Sequence, residues 1–220
     1  MSEPARTIGL PAGMFAYGVV ALAIAFELTV AWWMLHPQVP PDYRAYYIDH
    51  STTCLNQPVS GDYALGTTVS FRSEGRELAK PLWVCGWEGP AGDGTHAVGT
   101  SSRLRFAIPA SEGGPLYLFL ELIAVSREGH PSQRIGIEAN GAELGVANAL
   151  AGIPLEVDLE IPAEVVAAGT GSVDVILSFP DAIQMSPSDS DTRWRSIKLL
   201  SARLGTSPRP ASAMKSPATP

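Results

Sequence analysis

A chain of 220 residues, 45% hydrophobic and 17% charged, has room for one membrane segment and one domain with its own core, and excludes two full domains. Its formal net charge of -7, with a pI near 5.1, argues against nucleic acid or an anionic lipid surface as partner, since both are held by Lys/Arg patches. The 21 Gly and 19 Pro break helices often enough to favour short strands and turns over a helical bundle.

In chain order, residues 1 to 13 form a short flank, read as cytoplasmic. Residues 14 to 35, "MFAYGVVALAIAFELTVAWWML", measure about 33 Å as a helix and match a hydrocarbon core of about 30 Å. The bulky "WWML" and the prolines after it do not form a signal-peptidase site, so the segment reads as an uncleaved anchor. Trp32 and Trp33 mark an aromatic belt, and Pro37, Pro40 and Pro41 stop the helix and open a Pro-rich linker over residues 36 to 44. The flanking charges, Arg6 against Glu3 and Arg44 against Asp42 and Asp49, hardly decide the orientation. Glu27 stands inside this apolar run. A carboxyl at mid-membrane costs about 2.5 to 3.5 kcal/mol on insertion scales, so such a residue faces a protein partner or a polar cavity, and a partner site is the expectation for Glu27. Gly18, Ala21 and Ala25, at three- and four-residue spacing, would let a partner helix approach closely.

Residues 45 to 204 carry short alternating segments. "LEVDLEI", residues 155 to 161, sets Leu155, Val157, Leu159 and Ile161 on one face against Glu156, Asp158 and Glu160 on the other. "SRLRFAI" and "SVDVILSF" repeat the pattern through Leu104, Phe106 and Ile108 and through Val173, Val175, Leu177 and Phe179. Asn140-Gly141, between two alternating runs in residues 134 to 147, is a hairpin signal. "PLYLFLELIAV", residues 115 to 125, is too short to span a membrane and reads as a strand buried on both faces. Further strands near 45 to 50, 67 to 71, 81 to 87 and 196 to 204 bring the total to about nine. The expected fold is all-β, an antiparallel jelly-roll-type β-sandwich behind one transmembrane helix. Residues 205 to 220, Pro-rich and nearly devoid of bulky apolar side chains, read as a disordered tail.

Cys54 and Cys85 are the only cysteines, and both follow the anchor. A disulfide in an oxidising periplasm is the economical reading and would contribute about 3 to 4 kcal/mol; two buried thiols in a cytoplasmic domain are the alternative. The chain has no GxSxG elbow, P-loop or HExxH, and two cysteines with scattered His36, His50, His96 and His130 do not make a metal site. The acids of residues 156 to 160 fit a solvated strand face better than a glycosidase pair, and Asp189 and Asp191 fit a turn better than a calcium loop. The expectation is a non-enzyme without metal or cofactor.

Trp83, Trp87 and Trp194, with Tyr43, Tyr46 and Tyr47, are numerous for so short a domain, and rings with a polar edge suit either a sugar face or a sandwich core. Trp83 alternates with Cys85 and is assigned to the core. Glu88 beside Trp87, and Arg193 and Arg195 around Trp194, would orient hydroxyls. "YYIDHSTTC", "GDYALGTTVSF", "VCGWEGPAGDGTHAVGTSSRLRFAI", "IGIEANGAELG" and "SPSDSDTRWRSIKLLSARL" together resemble the jelly-roll domain associated with bacterial membrane glycosyltransferases and exopolysaccharide-assembly proteins. Gly86, Trp87, Glu88 and Pro90, then Asn140 and Gly141, then Ser186, Pro187, Asp191, Arg193 and Ile197 carry the resemblance. His96 stands near where that family has Trp, and Trp194-Arg195-Ser196 replaces an apolar-Gly stretch. The resemblance implies a non-catalytic periplasmic module on the bacterial inner membrane, associated with exopolysaccharide synthesis or export. Trp87, Glu88, His96, Arg193 and Trp194 are then the glycan candidates, and a glycosyltransferase or exporter is the partner at Glu27, Gly18, Ala21 and Ala25. The other reading is a structural accessory subunit of a larger inner-membrane complex, docking through its helix and sandwich face.

Overall fold

The computed structural model describes residues 12–36, 39, 43–44, 47–48, 54–109, 113–184 and 193–209. It divides into two compact units, Met1–Pro41 and Asp42–Pro220.

The first unit contains helix α1 (Ala12–Leu35), in which Gly13–Leu35 is long and apolar enough to cross a membrane. Two of its polar side chains, Thr29 and His36, turn back on the helix. Thr29 Oγ1 donates to the Ala25 carbonyl at 2.8 Å. The His36 ring stacks on Trp32 with centroids 3.9 Å apart. Pro37, Pro40 and Pro41 lie outside the described residues.

The second unit is an antiparallel β-sandwich of jelly-roll type. Its strands are β1 (Val69–Ser70), β2 (Trp83–Cys85), β3 (Thr95–Val98), β4 (Ser101–Ala107), β5 (Leu116–Ala124), β6 (Ser132–Ala139), β7 (Ala142–Leu150), β8 (Leu155–Ile161), β9 (Ser172–Ser178), β10 (Ile183–Gln184) and β11 (Trp194–Gly205). One sheet has the order β1-β11-β5-β8, with β3 and β10 also paired to β11; the other has the order β2-β4-β9-β6-β7. Two short helices, α2 (Arg76–Ala79) and α3 (Ala163–Ala168), lie in the connections.

Period-two alternation explains the core. Leu116, Leu118, Leu120 and Leu122 of β5 meet Leu104 and Phe106 of β4, Ile135 and Ile137 of β6 and Val173, Val175 and Leu177 of β9 in one buried cluster. On the outward side of β5, Phe119 is only 5% exposed, because the Arg209 guanidinium lies over its ring at 4.5 Å from the centroid. The residues after 204 are therefore engaged as far as Arg209, while residues 210–220 lie outside the described set. Asn140 and Gly141 take positive φ of 47° and 82° and close the β6–β7 hairpin. The Asn140 amide also donates to the Val165 carbonyl at 2.9 Å and accepts from the Asp174 N–H at 2.9 Å, tying the turn to β9.

Several elements differ from the sequence reading. Eleven strands are present among the described residues, not about nine. Tyr47 is helical, with the Ile48 N–H bonded to the Arg44 carbonyl at 2.9 Å and the Tyr43 and Tyr47 rings 4.5 Å apart; four-residue ring pairing stabilises a helical turn where a strand was expected. The expected strand at 81 to 87 begins as a 3₁₀ turn, Lys80–Leu82, because Pro81 presets a helical φ. The Cys54–Cys85 disulfide is present, with Cα atoms 5.0 Å apart, within the usual range.

Phe106, the penultimate residue of β4, is fully buried in the core between the sheets. Truncating it to alanine should lower stability by about 3 to 5 kcal/mol, read as a shifted urea midpoint with an unchanged slope.

Candidate functional site

Directly after Cys85 the chain leaves β2, in one sheet, to enter β3, in the other. Gly86 makes this possible: its φ is +77°, and a Cβ there would lie 2.3 Å from the Ser101 carbonyl oxygen, which only glycine tolerates. The Gly86 carbonyl accepts from Ser102 Oγ at 2.6 Å and from the Val98 N–H at 2.8 Å. The crossing segment is a small hairpin in which Trp87 bridges Ala97, the Glu88 N–H bonds the His96 carbonyl at 2.9 Å, and Ala91 and Gly94 close the turn.

Trp87 is half-buried. Its indole N–H donates to the Arg103 carbonyl at 3.0 Å, and its ring lies 6.2 Å from Phe71, so orientation is fixed from both sides. Glu88 receives two guanidinium groups, Arg193, and Arg195 at 3.0 Å. The Glu88 and Arg195 side chains are only 17% and 18% exposed, which makes this ion pair less screened than a surface one. His96 Nδ1 is buried without a hydrogen-bond partner. Burial, with Lys198 and Arg195 nearby, holds its imidazole below the ordinary histidine range; Glu88 and Asp93 oppose the shift.

These side chains surround a cavity of about 490 Å³ lined by Trp87, Glu88, His96 and Arg193, with Gly86 and Val98 among the remaining wall. Four of the five glycan candidates thus come together. Trp194, 47% exposed, opens β11 and is not among the residues that line this cavity; its carbonyl accepts from the Gly99 N–H at 2.9 Å. Trp83 packs against the core as expected, 6.3 Å from Phe71. Sequence reasoning missed the weight of Lys198 and Arg72, which gather beside His96 in a neighbouring cavity. Among the described residues no group of His, Cys, Asp and Glu could hold a metal ion; Asp189 and Asp191 lie outside them.

The helix candidates are divided. At about 100° per residue, Gly18, Ala21 and Ala25 share one side of α1, and Glu27 lies about 180° from Gly18. Glu27 instead falls in a seam with Val20, Ala23, Val30 and Met34, spaced three and four residues apart. One partner helix cannot cover both groups.

No family model and no curated relative matches the chain. Solved structures similar to it include a carbohydrate-binding module, CBM36, in complex with calcium and xylotriose, at 12% identity and TM-score 0.38 over 63% of this chain and 99% of that one. Another is the CBM36-1 domain of a multidomain xylanase from the hindgut metagenome of Trinervitermes trinervoides, at 14% identity and TM-score 0.35 over 62% and 94%. A third is a family 35 carbohydrate binding module from an environmental isolate, at 12% identity and TM-score 0.31 over 51% and 72%. The likeness is too remote to assign a ligand or a residue role.

The lowered His96 value has a signed consequence. An unfolded histidine binds protons near pH 6.5 while the folded His96 still resists, so this residue should erode stability as pH falls from about 6.5 toward its folded value, and be neutral to stability above it. NMR titration of the imidazole should give a midpoint below the free-histidine value, and His96→Gln should flatten the acid limb of the stability profile.

Proposed function

We propose that this chain is a membrane-anchored, non-catalytic module that holds a polysaccharide at the Trp87 cavity, in association with exopolysaccharide synthesis or export at a bacterial inner membrane. The observation that carries the reading is the convergence of Trp87, Glu88, His96 and Arg193 on one cavity of about 490 Å³. A half-buried ring with its N–H already satisfied offers an apolar surface to a sugar face, and the fixed carboxylate, imidazole and guanidinium offer hydroxyl partners of both polarities. The disulfide supports a periplasmic sandwich, since such bonds persist in oxidising compartments. With the apolar helix as anchor, the cavity would stay near the membrane and bind weakly and repeatedly along a passing chain.

A specific observation also favours the accessory-subunit reading. Glu27 lies in a heptad-like seam of α1 rather than alone on its face, which suits a partner helix in an inner-membrane assembly. A glycosyltransferase or exporter as that partner would unite the two readings.

Affinity electrophoresis of the full-length protein through gels cast with bacterial exopolysaccharides tests the first reading. Arg193→Ala and Trp194→Ala, both at exposed positions, should weaken retardation by about fivefold to tenfold without changing the melting temperature, in line with the loss of one charged hydrogen bond or one aromatic contact. Lack of retardation of the wild type by every polymer would discard the glycan role. For the second reading, Glu27→Leu should abolish co-purification of a membrane partner in mild detergent, whereas Gly18→Leu, on the opposite side of the helix, should retain it. Equal loss with both variants would place the contact elsewhere.

A further inference from the structure

His96 also lines a second cavity, of about 500 Å³, bounded by Arg72, Arg195 and Lys198 with Asp93 as the single acid. A cationic concavity is unexpected on a chain of net charge -7, and a backbone irregularity builds it. On β11, Arg195 is opposite Val98 and Lys198 is opposite His96, so three steps on β11 match two on β3. In a regular strand, residues three apart point to opposite faces. The bulge cancels that alternation and puts both cations on the side of His96. Arg72 enters from the end of β1, and its guanidinium has no hydrogen bond or ion pair among the described residues. Ile123, Pro154 and Leu200 supply an apolar wall.

We infer that this second cavity is an anion subsite for the carboxylate of a uronic-acid residue in the polysaccharide, with the neighbouring sugar in the Trp87 cavity; the inference rests on the glycan reading above. Three lines of chemistry converge on a ring-borne carboxylate. Planar guanidinium groups match a carboxylate fork, and Lys198 adds a point charge. An apolar wall beside the cations accommodates the C–H face of a sugar ring, which a small inorganic anion would leave uncovered. His96 borders both cavities, so adjacent sugars of one chain can occupy them together. Asp93 is the internal stand-in: it pairs with Lys198, but its side chain is 67% exposed against 23% for Lys198. A ligand carboxylate can take its place at the cost of one surface ion pair.

Isothermal titration of the full-length protein in detergent, with oligogalacturonate beside the same oligomer after carboxyl reduction, tests the assignment. Wild type should prefer the uronate, and Arg72→Gln and Lys198→Gln should each weaken uronate binding by about tenfold or more while leaving the reduced oligomer and the melting temperature unchanged. Equal binding of the reduced oligomer overturns the anion subsite and leaves the glycan module standing. Uronate binding that is absent, or indifferent to both substitutions, overturns the subsite as well. Displacement of the uronate by inorganic phosphate as readily as by free galacturonate would make the cavity a phosphate site and overturn the carboxylate assignment.

Discussion

The twelve residues of β11 serve four neighbours at once: β5 along most of one side, β10 beyond it, and β3 and β1 in succession on the other. No straight strand can satisfy so many partners, because each partner brings its own register and twist. The chain resolves the conflict with two irregularities, one between Arg195 and Lys198 against β3 and one between Leu199 and Ser201 against β5. The first gathers the cations beside His96. The second leaves Leu200 without a β5 partner, and its side chain lines the same cavity. The chemistry of this end of the sandwich therefore follows from a backbone constraint, consistent with bulges re-aiming side chains where a strand must change partners.

The crossing between sheets depends on the same economy. The disulfide joins Cys54 to Cys85, the Gln57 N–H bonds the Val84 carbonyl at 2.9 Å, and Gly86 then turns the chain toward β3. Trp87 and Glu88 are thereby held between a covalent cross-link on one side and a paired strand on the other. A side chain on such a segment loses little further conformational freedom on binding, which favours even weak ligands. The arrangement also separates roles: Trp87 is anchored by its indole N–H, whereas Trp194 keeps its surface exposed.

Strands with clean alternation were legible in the sequence: β8 was expected at 155 to 161 and occupies those residues, and the Asn140-Gly141 turn closes its hairpin as read. Where the signal was shorter than two periods, it was lost. β3 has four residues between Gly94 and Gly99, and β10 has two; neither length distinguishes a strand from a loop. Trp87, Glu88, His96 and Arg193 were readable as residue types, but Arg193 meets Glu88 across 105 positions through a tertiary contact no local pattern encodes. The proximity of Arg195 to Lys198 was hidden for a different reason, since counting by two puts them on opposite faces and only the bulge reverses the count. The division of α1 was present in the sequence all along. Spacing identified Gly18, Ala21 and Ala25 as a group, and turn counting separates them from Glu27.

Charge on this sheet is sorted rather than merely negative. Glu156, Asp158 and Glu160 stand exposed on β8, opposite Glu121, Phe119 and Tyr117 of β5, and Arg209 pairs with Glu156 at 2.9 Å. The row of acids on an edge strand discourages pairing with a second chain. It also sets a gradient across the sheet, from the carboxylates of β8 to Arg195 and Lys198 on β11. A polyanion near this surface is repelled at one edge and attracted at the other, over distances comparable to a screening length of about 8 Å at physiological salt. The acidic bulk of the protein is thus no obstacle to an acidic ligand. On the reading proposed above, it would confine such a ligand to the side where Arg72, Arg195 and Lys198 line one cavity, with His96 and Trp87 as the next contacts along the polysaccharide.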